Sequence, residues 1–492
     1  METNIVIDRN SPVPLYYQLK MLIKRKIEEG TLAVGARIPT ERDLCRQYDI
    51  SRAPVRQALA ELVQEGYIYR QSGRGTFVKE RHPESSERQV TLHLLAYDVR
   101  WVALMESAVR HWNDVHPGRH LQLDVNMPSQ AEFHQALCDS IGGEEAPDIV
   151  SIDYVWVARY ARLGFLASLD ELAPDFARWL REELEPPVLR NNTLDDQLYG
   201  VPVQADVTGL WYRRDWFEAA GLAPPITWEQ WLECLDYFAR DEVRARWGYA
   251  YPVSFPISAH TGEATFNLLL PFIWGAGGRL VNAEGKVTLS DPAVIRALSF
   301  LAKIVQERGY LPADVETFHW WNSPRLLATG RVPMILGGTY EWPAIAEESG
   351  WSRAEMAQHL GFVLAPRPAV SRPPVTSLGG TTWAVMRESR HYELSLEILR
   401  MTMQFETVES FCRRELQIST LRTVNRRLVR GGGPWMQAVV PLLVHARPRP
   451  MLEDYVQFSR LLQQLIEMVL VDGLPVEMAV RQIERTMELI LG

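Results

Sequence analysis

The sequence predicts a multidomain chain, with a small α+β head followed by a much larger α/β body. Three observations carry that expectation. Charge is uneven: residues 1–80 hold 13 Lys+Arg against 10 Asp+Glu, whereas the remainder holds 39 against 51. None of the 16 tryptophans precedes Trp101. The apolar spacing also changes, from helical repeats and one hairpin before residue 80 to strand–helix alternation after residue 90. A length of 492 residues fits about three domains rather than one core. The 47% apolar and 23% charged composition is that of a folded globular chain. The first thirty residues lack the apolar run of an export signal, and nothing approaches the ~20 apolar residues of a membrane span. A cytoplasmic location is therefore expected. Cys45, Cys138, Cys234 and Cys412 lie too far apart for a metal motif and are expected as isolated buried thiols.

The first helix is predicted in YYQLKMLIKRKIEEGTL, where Leu19, Leu22, Ile23 and Ile27 share one face and charges occupy the other. Gly30 and Gly35 stop it. IPTERDLCRQYDI predicts a second helix, with Thr40 as N-cap and Asp43 completing a capping box. A third follows in SRAPVRQALAELVQEG. Ser51 caps it, Pro54 sits in the first turn where its missing N–H costs nothing, and Gly66 ends it. YIYRQSGRGTFV then reads as a hairpin around SGRG. Arg52 opposes the dipole of the third helix, and Arg56 repeats the charge four residues on. A polyanion facing that helix end would account for both. Three helices and a basic-tipped hairpin are the parts of a winged helix-turn-helix.

Six segments in order carry a family resemblance: PLYYQL at 14–19, Gly30 to Gly35, IPTERDL at 38–44, ISRAPVRQAL at 50–59, LVQEGYI at 62–68 and GRGTFV at 73–78. Together they resemble the DNA-binding domain of the GntR regulators. The resemblance implies DNA contacts from Arg42, Ser51, Arg52, Arg56, Arg74 and Gly75. Pro54 stands where members often carry threonine, which puts the operator sequence, though not DNA binding, outside the pattern.

Residues 81–89 are expected as a linker, polar and without apolar period. VTLHLLAYD, LQLDVNM and APDIVSID then read as strands, with helices in ALMESAVRHWNDVHPG and QAEFHQALCDSI between them. Such a doubly wound layer binds ligands at the carboxyl ends of its strands, here near Asp98, Asp153 and Tyr154. Flat aromatics beside carboxylates and amides suit a polyhydroxyl ligand, whose rings offer an apolar face and a rim of hydroxyls. Trp211, Trp216, Trp228 and Trp231 fall at helical spacing and read as core. LGGTTW and ILGGTYEW lack the Lys-Ser/Thr of a phosphate loop and read as turns at cleft edges.

APDIVSIDYVWVARYARLGFLASLDEL, LYGVPVQADVTGLWYRRDWFEAAGLAPPITWEQWLE, FIWGAGGRLVN, LLATGRVPMILGGTYEW and VTSLGGTTWAV resemble, in order, landmarks of the family 1 solute-binding proteins, the maltose-binding-like group. The resemblance implies a two-lobed type II α/β sensor over 90–492, with one lobe near 90–203 and 385–435 and the other near 206–378 and 436–492. It implies ligand enclosed between the lobes, with hinges near 204–208 and 379–384. The candidate ligand residues are Asp153, Trp156, Gln204, Asp206, Trp274, Tyr340, Trp342 and Trp383, with Trp274 and Trp342 foremost as stacking aromatics. Trp101 and Trp383 fit core packing equally, and Asp153 and Asp206 fit helix caps.

No nucleophile–base order or metal spacing stands out, so no enzyme activity, cofactor or metal is expected. The resulting expectation is a dimeric, cytoplasmic, DNA-binding transcription regulator, a repressor that senses a carbohydrate. The alternatives are a sensor for a phosphorylated metabolite, polyamine or peptide, and an enzyme fused to a DNA-binding head.

Overall fold

The computed structural model describes residues 7, 15–28, 30–64, 66–71, 74–79, 89–128, 132–140, 146–282, 285–450, 452 and 454–491. The predicted linker at 81–89 lies outside them, apart from Gln89, which opens a strand. The chain divides into two compact units, Met1–Val150 and Ser151–Gly492, taken here in turn.

The first unit opens with three helices, α1 (Leu15–Glu28), α2 (Glu41–Tyr48) and α3 (Arg52–Gln64). A hairpin of β1 (Ile68–Gln71) and β2 (Gly75–Val78) follows, in register Ile68↔Val78 to Gln71↔Gly75. One apolar cluster, including Leu19, Ile23, Leu44, Val55, Leu59, Leu62 and Val78, holds these pieces together. Each such side chain contributes about 1.5–3 kcal/mol on full burial. The capping box at α2 forms: Thr40 Oγ1 accepts from Asp43 N at 3.2 Å, and Asp43 Oδ2 accepts from Thr40 N at 3.2 Å. Gly75 has φ +123°, and a Cβ there would lie 2.8 Å from Arg37 Nε, so glycine is required at this bend.

The same unit continues through β3 (Gln89–Leu95), α4 (Val99–Val115), β4 (His120–Asn126), α5 (Phe133–Ser140) and β5 (Ile149–Asp153), whose last residues begin the second unit. β3 pairs in parallel with β4 along its length and with β5 at Leu94↔Ile149. The first strand at the centre, with later strands on either side, is the predicted doubly wound layer. Asp98 caps α4 by accepting from Arg100 N at 2.9 Å, and Trp101 is wholly buried.

In the second unit, α6 (Tyr154–Arg162) leaves the end of β5, which lies beside the strand Thr381–Val385. That strand pairs antiparallel with Gly200–Pro202. A second sheet is built on Asp206–Arg213, all eight of whose residues are buried. Met334–Gly338, Leu360–Leu364 and Thr376–Gly379 pair with it antiparallel, and Ala446–Arg447 extends the edge beside Thr376. The chain therefore steps between sheets at 203–205 and again at Gly380. A Cβ on Gly380 would stand 2.2 Å from Gln204 O and 2.5 Å from the Tyr154 ring, so these steps press directly on one another. Trp211, Trp216 and Trp231 are buried, and Trp228 stacks on Phe300 at 4.2 Å, the core packing expected of them, although Trp211 lies on the strand Asp206–Arg213 and not at helical spacing.

One expectation needs correction. Cys234 and Cys412 are buried, with burial pushing both thiols up to about 12. Cys138 is exposed on α5, and Cys45 is half-buried at the margin of the head's apolar cluster, against which it packs.

Candidate functional site

Two separate surfaces answer to the sequence reading. On the head, Arg42, Ser51, Arg52, Arg56 and Arg74 are exposed. Among the described residues no carboxylate lies within ion-pairing range of those four arginines. Glu41 instead reaches Arg70 at 3.9 Å, and Asp43 is engaged in its cap. The Thr40 hydroxyl and amide bonds hold the Asp43 carboxyl below its usual range. Arg52 and Arg56 lie one turn apart at the start of α3, about 6 Å along the axis. Such cations are available to phosphates and to guanine edges.

In the body, Asp153 closes β5 and caps α6, accepting from Val155 N at 3.2 Å. The same Oδ1 accepts from Arg449 Nη2 at 2.6 Å. Arg449 is 2% exposed, and its Nη1 donates to Glu263 Oε2 at 2.7 Å. Glu263 opens the helix Glu263–Ala276 and also accepts from Tyr455 Oη at 2.8 Å and from Ser459 Oγ. Burial opposes the charge on Arg449, but Asp153, Tyr455 and Glu263 outweigh it and hold the guanidinium charged. A buried cation needs such partners.

Asp206 and Gln204 are buried beside this cluster. The Gln204 carbonyl accepts from Tyr154 Oη, and its Oε1 accepts from Thr381 Oγ1 at 3.4 Å. Tyr340 and Glu341 stand in the turn after Met334–Gly338. Burial raises the Glu341 carboxyl well above its ordinary range, Asp206 adds to the effect, and the Gly338 amide only partly offsets it. Burial likewise raises the Tyr340 phenol, with Glu341, Asp206 and Asp153 adding and Arg449 opposing. A Cβ on Gly337 would lie 1.9 Å from Glu341 Oε2, and one on Gly379 would lie 2.2 Å from Asp206 Oδ1. The glycines in both predicted turns therefore let acids lie flat against the sheet end.

Asp153, Gln204, Asp206 and Tyr340 thus gather at one end of the two sheets. The tryptophans do not all join them. Trp342 is buried, 4.3 Å from Trp435 and 6.1 Å from Trp211 between ring centres. Trp383 is wholly buried in its strand. Trp274 is half-buried at the far end of its helix, about 16 Å along the axis from Glu263. Trp156 is half-buried on α6, edge-on to Tyr160 at 6.2 Å. The sequence reading missed Arg449, Glu263 and Glu341, and also Trp320, half-buried and edge-on to Tyr340 at 6.4 Å. The run His319-Trp320-Trp321 was the available signal for the last. Arg449, in an RPRP stretch far down the chain, gave none. A groove of about 400 Å³ elsewhere, lined by Arg422, Arg426, Arg430 and Glu185 among others, lies apart from these groups.

Residues 101–400 match the model of the bacterial extracellular solute-binding proteins. The chain belongs to that family. Ahead of this solute-binding body, residues 15–78 match the model of the bacterial regulatory proteins of the gntR family, so the body is fused to a GntR-type head. The head's relatives include the HTH-type transcriptional regulator YurK of Bacillus subtilis, 37% identical over 108 residues, covering 19% of this chain and 45% of YurK. The HTH-type transcriptional repressor NagR of the same organism is 44% identical over 85 residues, 17% of this chain and 35% of NagR. The body is similar to the lactose-binding protein of Rhizobium radiobacter, 25% identical over 314 residues, 61% of this chain and 66% of that protein. The chain thus spans less than two thirds of each of these relatives. Among solved structures, an ABC transporter solute-binding protein from Thermotoga lettingae bound with α-D-tagatose superposes with a TM-score of 0.70 at 20% identity, covering 82% of this chain and all of that one. Maltose-bound T. maritima MalE3 gives 0.69 at 19%, covering 81% and 99%. These likenesses establish the two-sheet solute-binding fold of the body.

Proposed function

We propose that the chain is a cytoplasmic, dimeric transcription regulator whose solute-binding body senses a carbohydrate and whose head binds operator DNA. The observation that carries the reading is the pairing, in one chain, of a helix-turn-helix whose exposed arginines have no carboxylate within ion-pairing range among the described residues with a cluster of buried and half-buried acids in a solute-binding fold. A sensor of this kind acts by population shift, so its ligand must bind differently to two states of the chain. The relatives support both halves, a transcriptional repressor for the head and a lactose-binding protein for the body.

Charge narrows the ligand class. Asp153 and Glu263 flank Arg449, Asp206 lies close enough to act on Glu341 and Tyr340, and burial holds the Glu341 carboxyl well above its usual range. A phosphorylated metabolite would meet an excess of negative charge, whereas a neutral sugar finds carboxylate acceptors, a guanidinium donor and the Tyr340–Trp320 rings. The same excess makes an amine-bearing ligand the second reading. A thermal-shift panel of neutral oligosaccharides, sugar phosphates and polyamines tests this. Stabilisation by oligosaccharides supports the proposal, and stabilisation by sugar phosphates alone contradicts it.

A further inference from the structure

Lys20 stands three residues before Ile23 and seven before Ile27, at the flank of the first helix's apolar stripe, and it is 2% exposed. Its Nζ sits 3.1 Å from Glu61 Oε2 on α3 and 3.7 Å from Glu106 Oε2 on α4. Glu106 is reached in turn by Arg110 at 4.0 Å. Lysine is among the residues least often buried, and a buried ammonium is tolerated only where anions replace its water. Here the anions come from two places: the helix that carries Arg52 and Arg56, and the first helix of the solute-binding fold.

We infer that Lys20 is a positioning residue, an ionic junction that fixes the DNA-reading helix against the sensor and carries the sensor's state to it. The inference deepens the proposed function and depends on it only where an effector response is concerned. The lever arm is adequate. Glu61 lies nine residues from Arg52, about 14 Å along a rigid helix, so a 10° tilt about the junction moves the Arg52 end by about 2 Å. That displacement is enough to break hydrogen bonds to a base edge, which hold only within a few tenths of an ångström of their ideal length. The contact also makes transmission through residues 81–89 unnecessary, since the head is gripped directly.

Double electron–electron resonance on the full chain tests the junction without any ligand. Spin labels go on native Cys138, exposed on α5, and on Gln47→Cys, exposed on α2, with Cys45→Ser removing the third accessible thiol. The buried Cys234 and Cys412 are shielded from the label. A single narrow distance distribution is expected, broadening in Glu106→Gln and in Lys20→Met, the latter keeping the buried stem. An unchanged distribution in both variants, or a broad one in the parent, overturns the inference. With the carbohydrate that most stabilises the body, Glu106→Gln is further expected to bring the ratio of operator Kd with and without sugar towards one, and a ratio equal to the parent's also overturns it. If no carbohydrate stabilises the parent, the sugar reading fails while the distance measurement still judges the junction.

Discussion

Arg449 and Asp153 are 296 residues apart in sequence and 2.6 Å apart in the fold, joining the segment after one sheet's edge strand to the end of a strand in the other. Glu263 lies on the other side of Arg449, so removing the guanidinium leaves two carboxylates facing each other. Arg449→Met is therefore expected to destabilise the body by about 3–5 kcal/mol. Urea unfolding followed by tryptophan fluorescence checks it, since every tryptophan lies at or beyond Trp101. A loss below 1 kcal/mol, on the order of a solvated surface pair, would remove the cluster from the account.

Glu341 gives a pH signature. Its folded carboxyl is raised above the unfolded range, so the folded state holds a proton that the unfolded state releases. The contribution is fully present below the ordinary carboxyl range and is lost as pH rises towards the folded value, at about 1.4 kcal/mol per pH unit within that window. Glu341→Gln should flatten this decline above the ordinary carboxyl range and be relatively stabilising at the higher pH values. Parallel urea titrations at several pH values measure it.

On the head, Arg52→Ala and Arg56→Ala should each weaken operator binding by about 1–3 kcal/mol, roughly 5- to 150-fold, if they read bases. Arg74→Ala, at the hairpin tip, should act as a phosphate contact and lower the salt-dependence slope by about 0.9. Anisotropy titrations across a salt series on a duplex selected from a random pool separate the two behaviours.

For the sensor, Asp206→Asn and Trp320→Ala should lower carbohydrate affinity, the latter by about 0.5–1.5 kcal/mol for a lost ring contact. Trp274→Ala discriminates: its place at the far end of its helix predicts little effect, whereas the sequence placed it foremost. Calorimetric titration of the three variants decides which aromatics face the ligand.

The order of elements was legible in the sequence because it rests on local signals. Thr40 with Asp43, Gly66 after α3, and the strand–helix rhythm from Val90 to Asp153 each specify their own neighbourhood. Asp153 and Asp206 could be picked out because they end or begin apolar strands. What could not be read depends on distant partners. Trp342 looked like a cleft aromatic until Trp435 and Trp211 closed on it. Lys20 drew no notice in the sequence because one of its partners, Glu106, comes from beyond residues 81–89. Arg449 gave no pattern because its meaning lies wholly in Asp153 and Glu263.

The most direct test of the account is one titration. The full chain is bound to its selected duplex at fixed salt, and anisotropy is recorded with and without the oligosaccharide that best raises its melting temperature. A change in Kd of about fivefold or more is predicted, the lower end of allosteric coupling, and a Kd unchanged within about twofold at saturating sugar would contradict the account.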